Sequence, residues 1–568
     1  MKLRTSFFNF GVLRKNLTRF APLWILYAIA EVLGIMTLDL GEAAYRMADD
    51  LSYVMGPVSI FHAVYALLVA ACLFGDLFDS RLCNGLHAMP MRREGWLLTN
   101  LVSGLIFALI PALAGGAVGA FLLREYWWVA VAWQLTSLLQ FLFFFGVAVF
   151  SAMCAGKRLG MIAVYAILNL LSILILWVAT MIYEPLLPGV VLSDDWYNLF
   201  CPLVTIFSDS YCEFIITYAE NATKVVFEGY TPESWYYLFI CVGVGAVFTV
   251  LAWLLYKKRH LETAGDFISF RPMRLFFLLA YTLAAGVLLY SFGELLGIYT
   301  DYGFLVVGIL IGWFTGWMLL ERTIKIFTKK VLIGLAIFGV LFAGSIGITI
   351  MDPLGVASYV PQTEQFTNVC LYPMQESYIY TSTAYFEGGW YITDPAEIAE
   401  VQDLHAQMIE AHGTQNGEII NMELRYELKN GMHVYRSYDV PAESPVADDL
   451  RLFLSDPRAV FGVNDWQQVK ELADSASVFL QGDGKDDVEI TDPQQLQMLI
   501  AAIEADCEAG LFAQHDYFHP GQDYVGSVHI PWQALKTTKR GPVSRNANLV
   551  VYADCVNTAA FLKTLEKN

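Results

Sequence analysis

Nine long apolar runs constrain this chain more than any other feature of its sequence. Each run can cross a hydrocarbon core of about 30 Å as a helix that rises about 1.5 Å per residue. A backbone in lipid has to satisfy its hydrogen bonds internally, so helices are the expected form. We predict transmembrane helices near residues 20–38, 58–75, 97–123, 128–153, 159–183, 236–256, 275–293, 304–320 and 331–351.

Charge divides the chain into two unlike parts. Residues 1–351 contain 22 Lys and Arg and 22 Asp and Glu, whereas residues 352–568 contain 13 and 32. The whole formal net charge of −19 therefore lies in the second part. We predict a polytopic helical membrane domain followed by a water-exposed acidic domain. The acidic surface argues against binding to nucleic acid.

The basic residues of the first part predict the orientation of the chain. If the N-terminus is cytoplasmic, 19 of these 22 residues lie in cytoplasmic segments, as expected for a membrane protein. Nine spans then place the C-terminal domain outside the cell. The predicted location is a cell membrane, crossed many times. Residues 2–19 alternate aromatic and basic residues and predict an amphipathic helix at the membrane surface.

Two ionisable residues within the predicted spans are candidates for a transport pathway. Glu31 falls near the middle of the first span, and His62 falls in the first turns of the second. An ionisable group inside a membrane is costly unless it is protonated, paired or facing a cavity. For Glu31, a functional role and a buried structural role fit the sequence equally well.

Small residues predict close helix packing in two other spans. Gly115 and Gly119 lie four apart in the third span, and Gly308, Gly312 and Gly316 repeat at the same spacing in the eighth. Helices with such a face can approach one another closely. We interpret both patterns as packing surfaces rather than substrate sites.

Two polar connections are predicted to lie on the cytoplasmic side. The first connection, residues 76–96, reads DLFDSRLCNGLHAMPMRREGW and is long for a turn between spans. We predict a short interfacial helix there that receives force from a partner protein. The second connection, residues 256–274, has basic residues at both ends and a mildly amphipathic centre. The predicted contact residues are Leu82, Gly85, His87, Pro90, Arg92 and Arg93 in the first connection and Glu262, Gly265 and Phe270 in the second.

The C-terminal part contains an internal repeat. The sequence Ile-Thr-Asp-Pro occurs at residues 392–395 and again at 490–493, and an apolar-periodic helix follows each copy. Asp at the N-cap and Pro at the first helical position favour a helix start. Strands are predicted at residues 365–371, 376–385, 420–428, 432–440 and 548–554. We predict an extracytoplasmic α+β domain, organised as two β-α-β-β units.

The sequence has no recognised catalytic spacing. The phosphate-binding pattern GxxxxGK[S/T] is absent, as are HExxH and GxSxG. His515 and His519 stand four apart, but Pro520 follows directly and favours a loop without a metal. Cys201 and Cys212 share a predicted outer loop, where a disulfide is allowed but not required. We predict that the chain is not an enzyme and holds no cofactor or metal.

The two connections and the N-terminal amphipathic helix resemble those of bacterial ABC transporter permeases of the type-two exporter class. The stretch His87-x-x-Pro90-x-Arg92 is similar to the Ser-Leu-Pro-x-x-Arg pattern of their coupling helix, although His-Ala-Met-Pro replaces the commoner residues. The resemblance implies a six-span permease core at residues 1–270, three additional helices at 271–351 and an outer domain at 352–568.

This resemblance also implies partners. A separate ATP-binding subunit would use ATP and Mg²⁺ and would dock on the coupling helix, and a second permease copy or a related permease would complete the pathway in the bacterial plasma membrane. The competing interpretation is a membrane-anchored sensor or receptor whose outer domain binds a peptide, an antibiotic or a lipid-linked precursor.

Overall fold

The structure is a computed structural model, and it shows two compact units. One comprises residues 1–181 and 196–342, and the other comprises residues 182–195 and 343–568. The residues that it describes are 8–36, 47, 50–51, 54–88, 92–192, 203, 206, 214–218, 225–230, 235–259, 263–298, 302–373, 390–412, 418–430, 432–481, 488–513, 516–519, 521–533 and 544–565. The predicted strand at 376–385 and the cysteines Cys201 and Cys212 lie outside these residues.

Helices dominate the chain up to residue 351. Those described are α1 (Phe10–Arg19), α2 (Ala21–Met36), α3 (Ser59–Leu73), α4 (Ser80–Ala88), α5 (Arg93–Leu123), α6 (Trp127–Cys154), α7 (Arg158–Val178), α8 (Trp235–Lys258), α9 (Arg271–Leu295), α10 (Gly303–Glu321) and α11 (Lys329–Met351). Strand β1 (Val190–Val191) and a hairpin of β2 (Phe214–Tyr218) and β3 (Val225–Tyr230) lie between α7 and α8.

Seven helices among the described residues are long and apolar enough to cross a membrane. They are α5, α6, the helical stretch Arg158–Leu186, and α8 to α11. The pair α1 and α2 forms an eighth candidate, which is bent by 61° between its two helices. Helix α3, at the predicted second span, has 15 residues, which is shorter than the roughly 20 that cross a hydrocarbon core.

Helix α6 is the most enclosed of these helices. In the most apolar 18 residues of α6, 89% of the residues are buried inside the protein. In the corresponding stretch of α11, only 6% are buried. It packs against α3, α5, α7 and α8. The closest approach is to α8, because a Cβ atom on Gly146 would lie 2.2 Å from the Gly245 carbonyl oxygen. These two glycines therefore allow direct backbone contact between the helices.

A second glycine-lined contact joins α9 and α10. A Cβ atom on Gly308 would lie 2.6 Å from the Ala285 carbonyl oxygen, and one on Gly312 would lie 2.7 Å from the Ala285 Cβ atom. On the next turn, a Cβ atom on Gly316 would lie 2.9 Å from Leu278 Cδ1. The face predicted from the glycine spacing is thus filled by α9.

Two antiparallel sheets organise the second unit. The first has the order β1, β6 (His433–Pro441), β5 (Ile419–Leu428) and β4 (Phe366–Pro373). The second has the order β10 (Ser544–Tyr552), β9 (Tyr524–Gln533), β7 (Ala476–Leu480) and β8 (Val488–Ile490). The helices are α12 (Pro395–Ala411), α13 (Pro445–Leu454), α14 (Pro457–Phe461), α15 (Trp466–Leu472), α16 (Pro493–Glu508) and α17 (Val556–Leu565).

The two copies of Ile-Thr-Asp-Pro occupy equivalent places in these sheets. Ile392 forms an antiparallel bridge with Val369 of β4, and Ile490 of β8 pairs with Ala476 of β7. The aspartates that follow, Asp394 and Asp492, accept backbone hydrogen bonds at the N-termini of α12 and α16. In each copy a helix then leads to a long antiparallel hairpin, as predicted from the repeat.

The position of β1 is not evident from the amino-acid sequence. Residues 182–195 belong to the second unit, and Val190 and Val191 pair with Arg436 and Tyr435 at the edge of the first sheet. Two β-branched residues in a predicted loop are too weak a signal for a strand, since the pairing depends on a partner more than 240 residues away.

Helix α8 offers a matched test of its contact with α6. Gly245→Val should destabilise the first unit by about 1–3 kcal/mol or more, because the added carbon atoms meet the backbone of Phe143. Gly243→Val on the same helix should be tolerated, since nothing lies within 4 Å of a Cβ atom there. Thermal unfolding of the detergent-solubilised variants measures the difference, and equal melting temperatures would show that the contact is not required.

Candidate functional site

Glu31 and His62 meet in a buried polar cluster within the first unit. We define this cluster as Glu31 of α2, His62 of α3, and Trp133, Gln134 and Gln140 of α6. The Trp133 indole and the Gln134 amide each donate to Glu31 Oε2 at 3.2 Å. His62 Nε2 lies 3.4 Å from Glu31 Oε1. Glu31 Oε2 therefore accepts two hydrogen bonds, and Oε1 faces the imidazole ring of His62.

The hydrogen bonds of Gln140 determine the tautomer of His62. Gln140 Nε2 donates to the Met55 carbonyl at 3.0 Å, so its Oε1 atom is the acceptor that faces His62 Nδ1 at 2.6 Å. His62 Nδ1 must therefore carry a hydrogen. The remaining nitrogen, Nε2, faces a carboxylate, and a proton on it converts the contact into an ion pair. The cluster can thus hold one proton between Glu31 and His62.

The cluster is closed off from solvent within the unit. Only 5% of Glu31 and 1% of His62 is exposed. Gly115 of α5 makes room for the amide of Gln134, because a Cβ atom there would lie 2.7 Å from Gln134 Nε2. Gln134 Oε1 is buried and has no hydrogen-bond partner within the described residues. One acceptor thus remains in the cluster for a polar group.

A double-mutant cycle tests the pairing of Glu31 with His62. His62→Gln should lower the free energy of unfolding by about 3–5 kcal/mol, because it leaves Glu31 as an unpaired buried anion. Adding Glu31→Gln removes that charge, so the double variant should be more stable than His62→Gln alone. Thermal unfolding in detergent is measured for His62→Gln, Glu31→Gln and the double variant. Strictly additive effects would show that the two side chains are not coupled.

The first connection contains a short helix with an exposed apolar residue. Asp79 Oδ1 accepts hydrogen bonds from the backbone N–H groups of Arg81 and Leu82 and so begins α4. Leu82 is 52% exposed, and a Cβ atom on Gly85 would meet nothing within 4 Å. His87 lies on α4, and Pro90 lies outside the described residues.

The two arginines at the end of this connection differ in their surroundings. Arg92 is exposed and directly precedes α5. Arg93 begins α5, and its Nη1 atom donates to the carbonyl oxygen of Arg259 at 3.4 Å. This bond directs the Arg93 guanidinium toward the second connection, and its contact with a partner protein stays a prediction.

The second connection packs along the start of α7. Glu262 lies outside the described residues. Gly265 has a positive φ of 95°, and its N–H donates to the Gly156 carbonyl at 2.8 Å. Gly160 is sterically confined, since a Cβ atom there would lie 1.9 Å from the Phe267 carbonyl oxygen. Phe270 immediately precedes α9. Much of this connection is therefore used for packing within the unit.

Arg259 joins the two connections, and the sequence did not single it out. It is 5% exposed and follows the last residue of α8. Its guanidinium donates to the carbonyl oxygens of Ala152 and Met153 at 3.0 and 3.1 Å, and to that of Leu77 at 3.2 Å. In the sequence Arg259 is one of three consecutive basic residues, and nothing there distinguishes a buried arginine from its exposed neighbours.

The second unit contains a histidine, an aspartate and a cysteine close enough to hold a metal ion. They are His519, Asp554 and Cys555. His519 Nδ1 lies 2.7 Å from Asp554 Oδ1, and its Nε2 donates to the Ala513 carbonyl at 2.7 Å. Burial raises the pKa of Cys555 to about 12, so the thiol is neutral when no metal ion is bound. The arrangement favours a hydrogen-bonded structural cluster.

A second buried histidine lies in the core of the first sheet. His405 of α12 lies between the hydroxyl groups of Tyr426 and Tyr438, each 2.9 Å from a ring nitrogen. Burial, assisted by the positive charge of Arg436, lowers the pKa of His405 to about 4. His405 is therefore neutral in the folded protein at neutral pH.

The lowered pKa of His405 predicts acid sensitivity of the second unit. Between pH 6.5 and about 4 the unfolded chain binds a proton that the folded unit excludes. Above pH 6.5, His405 therefore causes no pH-dependent loss in the free energy of unfolding. As the pH approaches 4, this free energy falls by about 3 kcal/mol. His405→Gln should flatten this slope in a pH series of unfolding measurements, whereas His412→Gln should retain it. An unchanged slope in His405→Gln would contradict the assignment.

A groove in the second unit has a volume of about 310 Å³. Arg458 in its wall forms ion pairs with Glu397 at 2.7 Å and Asp456 at 2.8 Å, and its guanidinium lies 4.6 Å from the Trp390 ring. Hydrogen bonds to Asp456 and Glu397 raise the pKa of Arg458. Carboxylates outnumber basic groups in this groove, which is also lined by Glu400 and Glu508.

Comparisons with known proteins do not assign this chain to a family. No family model matches the chain, and no curated protein or solved structure does so. The function therefore has to be argued from the residues and their contacts.

Proposed function

We propose that the chain is the transmembrane permease subunit of an ATP-binding cassette transporter that acts as an exporter. A separate ATP-binding subunit would supply the energy, and two permeases would form the pathway. In this proposal all nine predicted spans cross the bacterial plasma membrane, with the N-terminus in the cytoplasm and the C-terminal domain outside. The chain itself would act as a conduit and not as an enzyme.

The observation that supports this proposal is the exposed, capped helix α4 between two apolar helices. An isolated helix of nine residues is unstable in water unless it packs on something. Asp79 caps the N-terminus of α4. On either side of α4, the Leu77 carbonyl and the Arg93 guanidinium form hydrogen bonds with Arg259. Leu82 is thus exposed on a helix whose start is capped, and an exposed apolar side chain suits a docking surface for another protein.

The buried polar cluster is consistent with this proposal. A carboxylate and a histidine inside a membrane domain are costly to maintain, and such residues commonly mark a pathway for ions or polar substrates. Glu31 and His62 would then lie beside the pathway, with Gln134 Oε1 as an additional acceptor.

Leu82 provides the direct test of the docking surface. In proteoliposomes with the co-encoded ATP-binding subunit, Leu82→Asp should weaken subunit binding at least tenfold, because it places a charge in an apolar contact. Stimulation of ATP hydrolysis should fall in parallel. Ile324→Asp is the matched control, since Ile324 is 81% exposed and lies in the segment between α10 and α11, outside the first connection.

Ile324→Asp should keep binding and stimulation within twofold of the unsubstituted protein. If Leu82→Asp also leaves both quantities unchanged, α4 is not the docking surface and the coupling assignment fails.

The alternative is a membrane-anchored receptor, and the groove of the second unit favours it. Aromatic and charged side chains converge there around Trp390 and Arg458, as is usual for small ligand sites. If no ATP-binding subunit co-purifies with the chain and ligand binding to the groove is found, the receptor interpretation replaces the permease interpretation.

A further inference from the structure

We propose that Arg259 is the positioning residue that transmits movement of α4 to α6, an inference that rests on the permease function proposed above. It contacts both ends of the first connection at once. Its guanidinium holds the Leu77 carbonyl on one side of α4, and its own carbonyl accepts from Arg93 on the other side. Arg259 therefore connects the two ends of the segment between Leu77 and Arg93.

The same guanidinium caps the C-terminus of α6. The carbonyl oxygens of Ala152 and Met153 belong to the last turn of that helix, where no N–H group of the helix remains to pair with them. A cation at this end also interacts favourably with the helix dipole. Arg259 thus satisfies carbonyl groups of α6 and of the first connection together, at distances of 3.0 to 3.2 Å.

Neighbouring contacts make the junction stiff. Trp96 at the start of α5 packs between Phe74 and Tyr256, with ring centroids 5.5 and 5.6 Å away. Lys257 lies 3.5 Å from Glu94. The first connection cannot move far without moving the C-terminal ends of α6 and α8, because Arg259 and these aromatic contacts join them.

This geometry connects α4, the proposed docking surface, to the buried polar cluster through Arg259 and α6. Helix α6 carries Trp133, Gln134 and Gln140 on its first half and the Arg259 contacts at its last turn. The cluster residues lie 12 to 20 residues before the Arg259 contacts, which is about 18–30 Å of helix. A displacement of the C-terminus of α6 would therefore alter the hydrogen bonds that hold Glu31 and His62.

Arginine is required at this position by the number and direction of the bonds. The planar guanidinium group of Arg259 donates hydrogen bonds to three carbonyl oxygens, two at the end of α6 and one in the first connection. A lysine keeps the charge but has one compact ammonium group on a flexible stem. Arg259→Lys should therefore preserve the cation while loosening the link between Leu77 and α6.

The chain contains a matched control in Arg274. Its Nη2 atom donates to the Leu320 carbonyl at 3.1 Å and pairs with Glu321 at 3.3 Å, so it caps the C-terminus of α10. It does not contact the first connection through any described bond. Arg274→Lys removes a comparable cap from the same unit and reports the cost of capping alone.

Hydrogen exchange measures the link without any partner. In the purified chain, Arg259→Lys should increase backbone exchange within residues 78–88 at least tenfold, and Arg274→Lys should leave that segment within twofold of the unsubstituted protein. Unchanged exchange in Arg259→Lys would overturn the inference, because the first connection would then be held by other contacts.

The coupling is measured with the ATP-binding subunit. Arg259→Lys should retain subunit affinity within threefold but reduce the stimulation of ATP hydrolysis at least tenfold, whereas Arg274→Lys should keep both. Parallel loss of affinity, stimulation and thermal stability would show that Arg259 is only structural, and full stimulation would equally overturn its positioning role. A failure of the permease function itself looks different, since the unsubstituted chain would then give no binding and no stimulation.

Discussion

Helix α6 packs against α3, α5, α7 and α8 along nearly its whole length, so a polar group on it can find a hydrogen-bond partner only inside the protein. Gln134, Gln140 and Trp133 meet this requirement by bonding to Glu31, His62 and Met55. The carbonyl oxygens of its last turn meet it by accepting from Arg259. Both of these polar sites therefore follow from the burial of one helix.

Glycine controls how closely the neighbouring helices approach α6. The contact between Gly146 and Gly245 brings α8 against it, and Gly115 opens the space in α5 that Gln134 occupies. Without hydrophobic exclusion of water to drive association in lipid, such close packing is a main source of helix–helix affinity. The positions of the polar side chains depend on these glycines. A methyl group at either position would push the helices apart and stretch the hydrogen bonds between them beyond their normal length.

The second unit uses one layout twice but fills it differently. His405 in α12 and Ile503 in α16 occupy equivalent positions, 98 residues apart, and both are fully buried. Ile503 belongs to an apolar core, whereas His405 is satisfied by the hydroxyl groups of Tyr426 and Tyr438. A buried polar group of this kind is tolerated only with its partners in place, because the cost of an unpaired donor or acceptor exceeds the value of the bond.

The sequence by itself determined the elements that depend on local pattern. Apolar runs predicted the helices, Asp394 and Asp492 predicted two helix starts, and Glu31 and His62 stood out because ionisable groups are rare within apolar runs. Only the tertiary structure decided that these two residues meet, that Gln134 and Gln140 complete the cluster, and that Arg259 rather than Lys257 or Lys258 is buried. The reason is physical: periodicity and capping act within a few residues, whereas each hydrogen-bond partner is selected by helix packing between segments that are distant in the chain.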